Sequence, residues 1–189
     1  TAKRIISWLS NHQLTYEDSD EDYRLTFDHM IQKQANHLLN EINDSKETGN
    51  KIISCAAVIL TGLAYKKEKE YLDNGLNQLK NMIKYLFDNQ GFPKSRNIKQ
   101  LIIYLKYFII IREWFKESQS IIPDYIDEAI YYLGSSYAFI WQNIEQDIFF
   151  NGNYSSNNSE FDQYLKRFGY TFKSQIKELG GYTILRNKK

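Results

Sequence analysis

The sequence predicts a mainly α-helical chain of antiparallel helices on short loops, with a β element starting near its far end. Three observations predict this. Apolar residues recur at spacings of three and four almost throughout. Only two prolines occur in 189 residues, so little interrupts the helices. The last stretch, "GGYTILR", drops the helical period for β-branched and aromatic residues after two glycines, which reads as a strand. Helix pairs of this length can stack as a curved array or toroid. There is no 34-residue tetratricopeptide signature and no fixed short repeat.

The first element, "KRIISWLSN", puts Ile5, Trp8 and Leu9 on one side. The second, "SDEDYRLTFDHMIQKQANHLLNEIN", has Ser19 or Asp20 to cap it and acids in its first turn, which suits the helix dipole. Its stripe is Phe27, Ile31, Leu38 and Ile42, with Met30 alongside. After the polar "DSKETGN" comes "KIISCAAVILTGLAY", apolar nearly all round and rich in small residues, the pattern of a central, closely packed helix. The fourth, "EKEYLDNGLNQLKNMIKYLFDN", carries Leu72, Leu76, Leu79, Ile83 and Leu86. The loop "DNQGFPKSRN" then leads to "IKQLIIYLKYFIIIREWFKES", apolar over a wide arc. Pro123 suits the first turn of a sixth helix, with Ile126, Ile130, Leu133, Tyr137, Ile140, Trp141 and Ile144 as its stripe. Beyond Asn143 a short apolar piece and a turn-rich polar loop follow, "DIFFNGNYSSNNS". Ser159 and Asp162 have capping-box spacing for the short helix "EFDQYLKRF".

The net charge of +1 gives no whole-molecule steering toward nucleic acid or a membrane surface, so any anion preference must be local. The longest apolar runs, "IISCAAVILTGLA" and "LIIYLKYFIII", fall short of a membrane span. The lone Cys55, inside an apolar run, reads as a buried structural thiol and allows no disulfide within the chain and no cysteine-based metal site. No metal or other cofactor is expected: no phosphate loop, HExxH or nucleophile elbow is present. No signal peptide is visible. The start at Thr1 and the end just after a new element suggest a piece of a longer protein.

Two places carry candidate chemistry. In "QANHLLNE", Asn36 and His37 lie at the edge of the buried stripe, with Met30, Gln34 and Glu41 on the same flank as His37. A partly buried histidine bonded to a neighbour explains that pattern. So does an anion site, since Asn and His both donate hydrogen bonds to a carboxylate. The second place lies in an acid-free segment: between Asp88 and Glu113 no Asp or Glu occurs, while Lys94, Arg96, Lys99, Lys106 and Arg112 do. A helix connection with a solvated basic rim accounts for it. A carboxylate- or sulfate-binding loop of Lys94, Ser95, Arg96 and Asn97 also does, helped by the free N–H groups of the following helix start.

The order of these signals resembles the helical domain of the heparinase II/III-like polysaccharide lyases. The matching stretches are "RIISWLS", "QANHLLNEI", "AAVILTGLAY" with "LDNGLNQL", "DNQGFPKSRN", "LKYFIIIREWF", "DIFFNGN" and "LGGYTILRN", in consistent order over nearly the whole chain. The resemblance implies an incomplete (α/α) toroid over 1–145, a linker region with a short helix over 146–178, and at 179–189 the first strand of a truncated β-sandwich. The rest of the sandwich would be the partner in cis. The implied reaction is that of a bacterial enzyme of the periplasm or cell envelope: β-elimination at a uronic acid in an acidic polysaccharide or oligosaccharide. Asn36 and His37 would neutralise the uronate carboxylate, and the 88–97 loop would line the cleft. In the better-known lyases a Tyr near this loop serves as acid or base. Here the matching position is Ile98, and Tyr104 is two turns on, which fits a divergent branch. The alternative is a non-catalytic carbohydrate- or anion-binding module that has lost the chemistry.

Overall fold

The computed structural model describes residues 1–42, 44, 48–142 and 158–185. Ile144 and most of the turn-rich stretch after Asn143 lie outside them. The described residues form seven α-helices, a π-helical turn and one small antiparallel hairpin: α1 (Ala2–Ser10), the π turn (Gln13–Glu17), α2 (Glu21–Glu41), α3 (Thr48–Ala64), α4 (Lys69–Leu86), α5 (Ile98–Glu117), α6 (Asp124–Trp141), α7 (Ser159–Arg167), β1 (Glu178–Leu179) and β2 (Tyr182–Thr183). The chain divides into two compact units, Thr1–Met82 with Ile110–Ile122, and Ile83–Ile109 with Pro123–Lys189.

The first unit is built around α3. Buried residues run along it from Ile52 to Leu63 with few gaps, as its all-round apolar sequence predicts. The stripe of α2 (Phe27, Ile31, Ala35, Leu38) joins Ile5 of α1, Ala57 and Val58 of α3 and Tyr71 of α4 in one core. Small residues let the helices close up. A Cβ at Gly62 would lie 2.4 Å from the backbone nitrogen of Leu72, so only glycine fits there. Asp20 caps α2, accepting from the Tyr23 N–H at 2.7 Å. Asp28 takes the hydroxyls of Tyr16 (3.1 Å) and Tyr65 (2.6 Å), and burial pushes the Tyr65 phenol well above its ordinary range. Cys55 is fully buried, and burial pushes its thiol up to about 12, as expected of a structural cysteine.

The second unit packs the first half of α5 with α6, α7 and the hairpin. Its core includes Phe87, Phe92, Ile98, Leu101, Tyr104, Phe108, Ile126, Leu133, Tyr137, Phe161 and Leu165. Three local expectations change here. Pro123 stands just ahead of α6, with extended backbone (ψ 132°), rather than in its first turn. Helix α7 starts one residue early, so Asn158 takes the cap position. Asp162 therefore turns to the Tyr137 hydroxyl (2.6 Å) and the Asn158 amide (3.2 Å) instead of closing a capping box. The third change is at "GGYTILR", where Gly180 and Gly181 are not a lead-in to one strand. Both have positive φ and form the two-residue turn joining Leu179 to Tyr182, the tight-hairpin geometry glycine favours. So Tyr182–Thr183 is a strand as expected, but it pairs back onto Glu178–Leu179.

Among the described residues, no helix is long and apolar enough to cross a membrane. Among them, too, no group of three His, Cys, Asp or Glu side chains is placed to hold a metal ion.

Candidate functional site

Asn36 and His37 sit together on the solvent flank of α2, between the buried Ala35 and Leu38. The His37 side chain is 52% exposed, and its Nε2 lies 3.2 Å from Glu41 Oε2, one helical turn on. Asn36 is exposed too, but one of its atoms is committed. The hydroxyl of Tyr71, a buried residue of α4, donates to Asn36 Oδ1 at 3.0 Å. Burial raises the Tyr71 phenol above its ordinary range, so it stays a neutral donor. The amide oxygen is thus fixed from the core side, while the amide N–H groups find no acceptor among the described residues. Two residues earlier, Gln34 Oε1 is buried and likewise unpaired among the described residues.

Asn36 also edges a groove of about 530 Å³ lined with Leu39 and Asn40 of α2 and Glu70, Asn74 and Gln78 of α4. Glu70, Asn74 and Gln78 follow at intervals of four, one row along a helix, next to the buried row Tyr71, Gly75 and Leu79.

The 88–97 loop behaves differently. The Asp88 carboxylate accepts from the backbone N–H groups of Gln90 and Phe92, both at 2.9 Å, which closes the turn. Phe87 and Pro93 form a bridge across it, and Phe92 is fully buried with its ring edge-on to Tyr182. Asn97 Oδ1 accepts from the Lys99 N–H (3.0 Å) and the Gln100 N–H (3.4 Å), so it caps α5. The Ser95 hydroxyl donates to Gln100 Oε1 at 2.6 Å and accepts from the Asn97 N–H at 3.3 Å. Lys94 donates to the Lys84 carbonyl at 3.1 Å. The Arg96 carbonyl accepts from the Tyr182 hydroxyl at 3.2 Å, and its backbone has a φ of 54°. Lys94 and Lys84 share a groove of about 440 Å³ with Asp88, Glu128 and the rings of Tyr125 and Tyr132, so the charge there is mixed.

No family model, no curated protein and no solved structure matches this chain. What the site can do therefore rests on its own geometry. Asn36 and His37 belong to the first unit and Lys94 to Asn97 to the second. Ile98, where an acid or base would stand by the resemblance, is 2% exposed and part of the core. Tyr104 is 1% exposed, and its hydroxyl donates to Gln100 Oε1 at 3.2 Å. The residues sequence reading missed are Asn40, Glu70, Asn74 and Gln78. Their signal was present as a polar row at a spacing of four on one helix, facing polar positions at the same spacing on another.

Proposed function

We propose that this chain is the helical, substrate-holding part of a heparinase II/III-like lyase that cleaves a uronate-containing polysaccharide by β-elimination. The observation that carries the reading is the Asn36–His37 pair: two consecutive exposed residues, the amide oxygen of one held from behind by Tyr71 and the imidazole of the other beside Glu41. An amide N–H and an imidazole N–H beside one another suit a carboxylate. Hydrogen bonding there withdraws charge from the carboxylate and acidifies the neighbouring C5–H. A base then takes that proton, and its electron pair becomes the C4–C5 double bond. The C4–O bond breaks, and an acid protonates the leaving oxygen. The pair contributes stabilisation of the enolate-like charge. Lys94, Ser95, Arg96 and Asn97 add contacts to the polymer's anionic groups, Ser95 and Asn97 chiefly by holding the loop's shape. Ile98 and Tyr104 are core residues, so neither serves as base or acid in this reading. The toroid and the sandwich partner belong to the same proposal.

The test is to give the full-length protein a panel of acidic polysaccharides and follow the absorbance of unsaturated uronate. Product is expected on at least one, with a loss of at least a hundredfold in His37→Ala. No product on any, with binding unchanged in His37→Ala, overturns the reading.

One observation favours a second reading, a non-catalytic module that binds acidic saccharides. In the loop, where the family's proton-transfer group is expected, the side chains of Ser95 and Asn97 serve the fold and Ile98 is buried. Binding weakened by His37→Ala, without turnover by the full-length protein on any polymer, would decide for this module.

A further inference from the structure

We infer that the first unit holds a site for an organic cation, a small molecule whose ammonium group carries methyl groups. The site is a cavity of about 400 Å³ built entirely from that unit, and it does not depend on the roles given to Asn36 and His37.

Three features carry it. The first is the chemistry of the walls. Four aromatic side chains line the cavity, Tyr16, Phe27, Tyr65 and Trp114. Tyr16 and Phe27 stand edge to face, with centroids 5.5 Å apart and planes at 64°, so they form a corner rather than a stack. Aromatic rings attract a cation through the negative face of their π-systems, most strongly when the cation sheds its water. Leu9, Leu60 and Leu63 add apolar surface. Methyl groups on the nitrogen suit such walls, whereas a bare ammonium holds its water tightly and gains less there.

The second feature is charge. Two carboxylates line the same cavity, Asp28 and Glu117. Asp28 accepts from the hydroxyls of Tyr16 at 3.1 Å and Tyr65 at 2.6 Å. Both donors are neutral, so the carboxylate keeps its charge, and it has about four acceptor positions in all. Among the described residues neither Asp28 nor Glu117 makes an ion pair, and no Lys or Arg lines the cavity. Basic groups on the same elements are engaged elsewhere. Arg24 lies over the Tyr16 ring at 5.4 Å and donates to the Glu17 carbonyl. Lys66 donates to the Ser118 carbonyl at 3.0 Å, and His12, which does line the cavity, meets Glu17 at 3.1 Å. An anion placed here would face two carboxylates.

The third feature is placement. Tyr16 belongs to the π turn Gln13–Glu17. Single π turns are rare and recur at functional sites. This one brings Tyr16 onto Asp28 of α2 and into the cavity wall.

Calorimetric titration of the chain with choline and with 3,3-dimethylbutan-1-ol, its uncharged carbon isostere, tests this. Choline is expected to bind at least tenfold tighter. Asp28→Asn, with native circular dichroism, should weaken choline about fivefold or more and leave the alcohol unchanged. Glu117→Gln, a change on an exposed side chain, should weaken choline about twofold. His37→Ala should leave choline unaffected. A trimethyllysine tripeptide separates a free solute from a protein tail, and choline is expected to bind at least as tightly as the peptide.

Equal affinity for choline and the alcohol overturns the inference, since the cavity would then be apolar and indifferent to charge. So does the absence of choline binding at about 10 mM, or native affinity in Asp28→Asn. Where Asp28→Asn does not fold, native choline affinity in Glu117→Gln overturns it instead. A loss of choline binding in His37→Ala moves the cation out of this cavity, and a tighter tripeptide overturns the assignment to a small molecule.

Discussion

Two polar stretches, 34–41 on α2 and the 88–97 loop, were both expected to meet an anion, and their side chains do opposite things. On α2 the backbone satisfies itself through the regular helix, so Asn36 and His37 are left to face outward. In the loop no such ladder exists. Asp88, Ser95 and Asn97 supply the bonds that the turn and the start of α5 lack. A dense run of polar residues is therefore a poorer guide to a ligand than a sparse pair on a regular element, because a loop uses its polar groups on itself.

That contrast predicts a division between stability and binding. Asp88→Ala removes two backbone partners at once and is expected to lower the unfolding free energy by about 2 kcal/mol in a urea titration. An unchanged midpoint would mean the turn closes without it. Asn97→Ala removes the cap of α5 and should cost about 1 kcal/mol by the same measurement. Neither change should alter uronate binding by more than their effect on folding explains. Tyr71→Phe keeps the packing and loses only the hydroxyl on Asn36. It should cost about 0.5–1 kcal/mol and loosen ligand binding several-fold, since the amide is no longer fixed. His37→Ala should leave stability within about 0.5 kcal/mol while producing the largest binding loss of the four. If it destabilises the protein as much as Asp88→Ala does, the histidine belongs to the fold and the contrast collapses.

Much of this was legible in the residues. The stripe of α2, the all-round apolar α3 and the cap at Asp20 follow from spacing alone, because burial of a helix face is written at a fixed period. On α4 the buried row is Tyr71, Gly75 and Leu79, so of the expected leucine and isoleucine stripe only Leu79 is buried and the rest is half-buried. The role of Asn97 was also open to view: an Asn directly before an apolar helix is a cap signal, but the neighbouring Lys94 and Arg96 drew the reading toward anions. The strand Glu178–Leu179 was not legible, since neither residue has strand propensity and the pairing follows from the turn at Gly180–Gly181. The amide groove escaped for a different reason. Polar residues on a helix's outer face look alike whether they meet water or another helix's polar row, and only the packing of α2 beside α4 separates the two.

The hairpin also sets an order of events in time. The Gly180 N–H reaches Gln90 Oε1, and the Tyr182 hydroxyl reaches the Arg96 carbonyl, across 90 and 86 residues of chain. A chain made from its N-terminus at about 5–20 residues per second leaves the loop waiting roughly 4–18 s for those partners. During that interval Phe92, which ends fully buried against Tyr182, has no cover from this side. Synthesis speed and chaperone access between Arg96 and Tyr182 thus bear directly on the yield of folded protein.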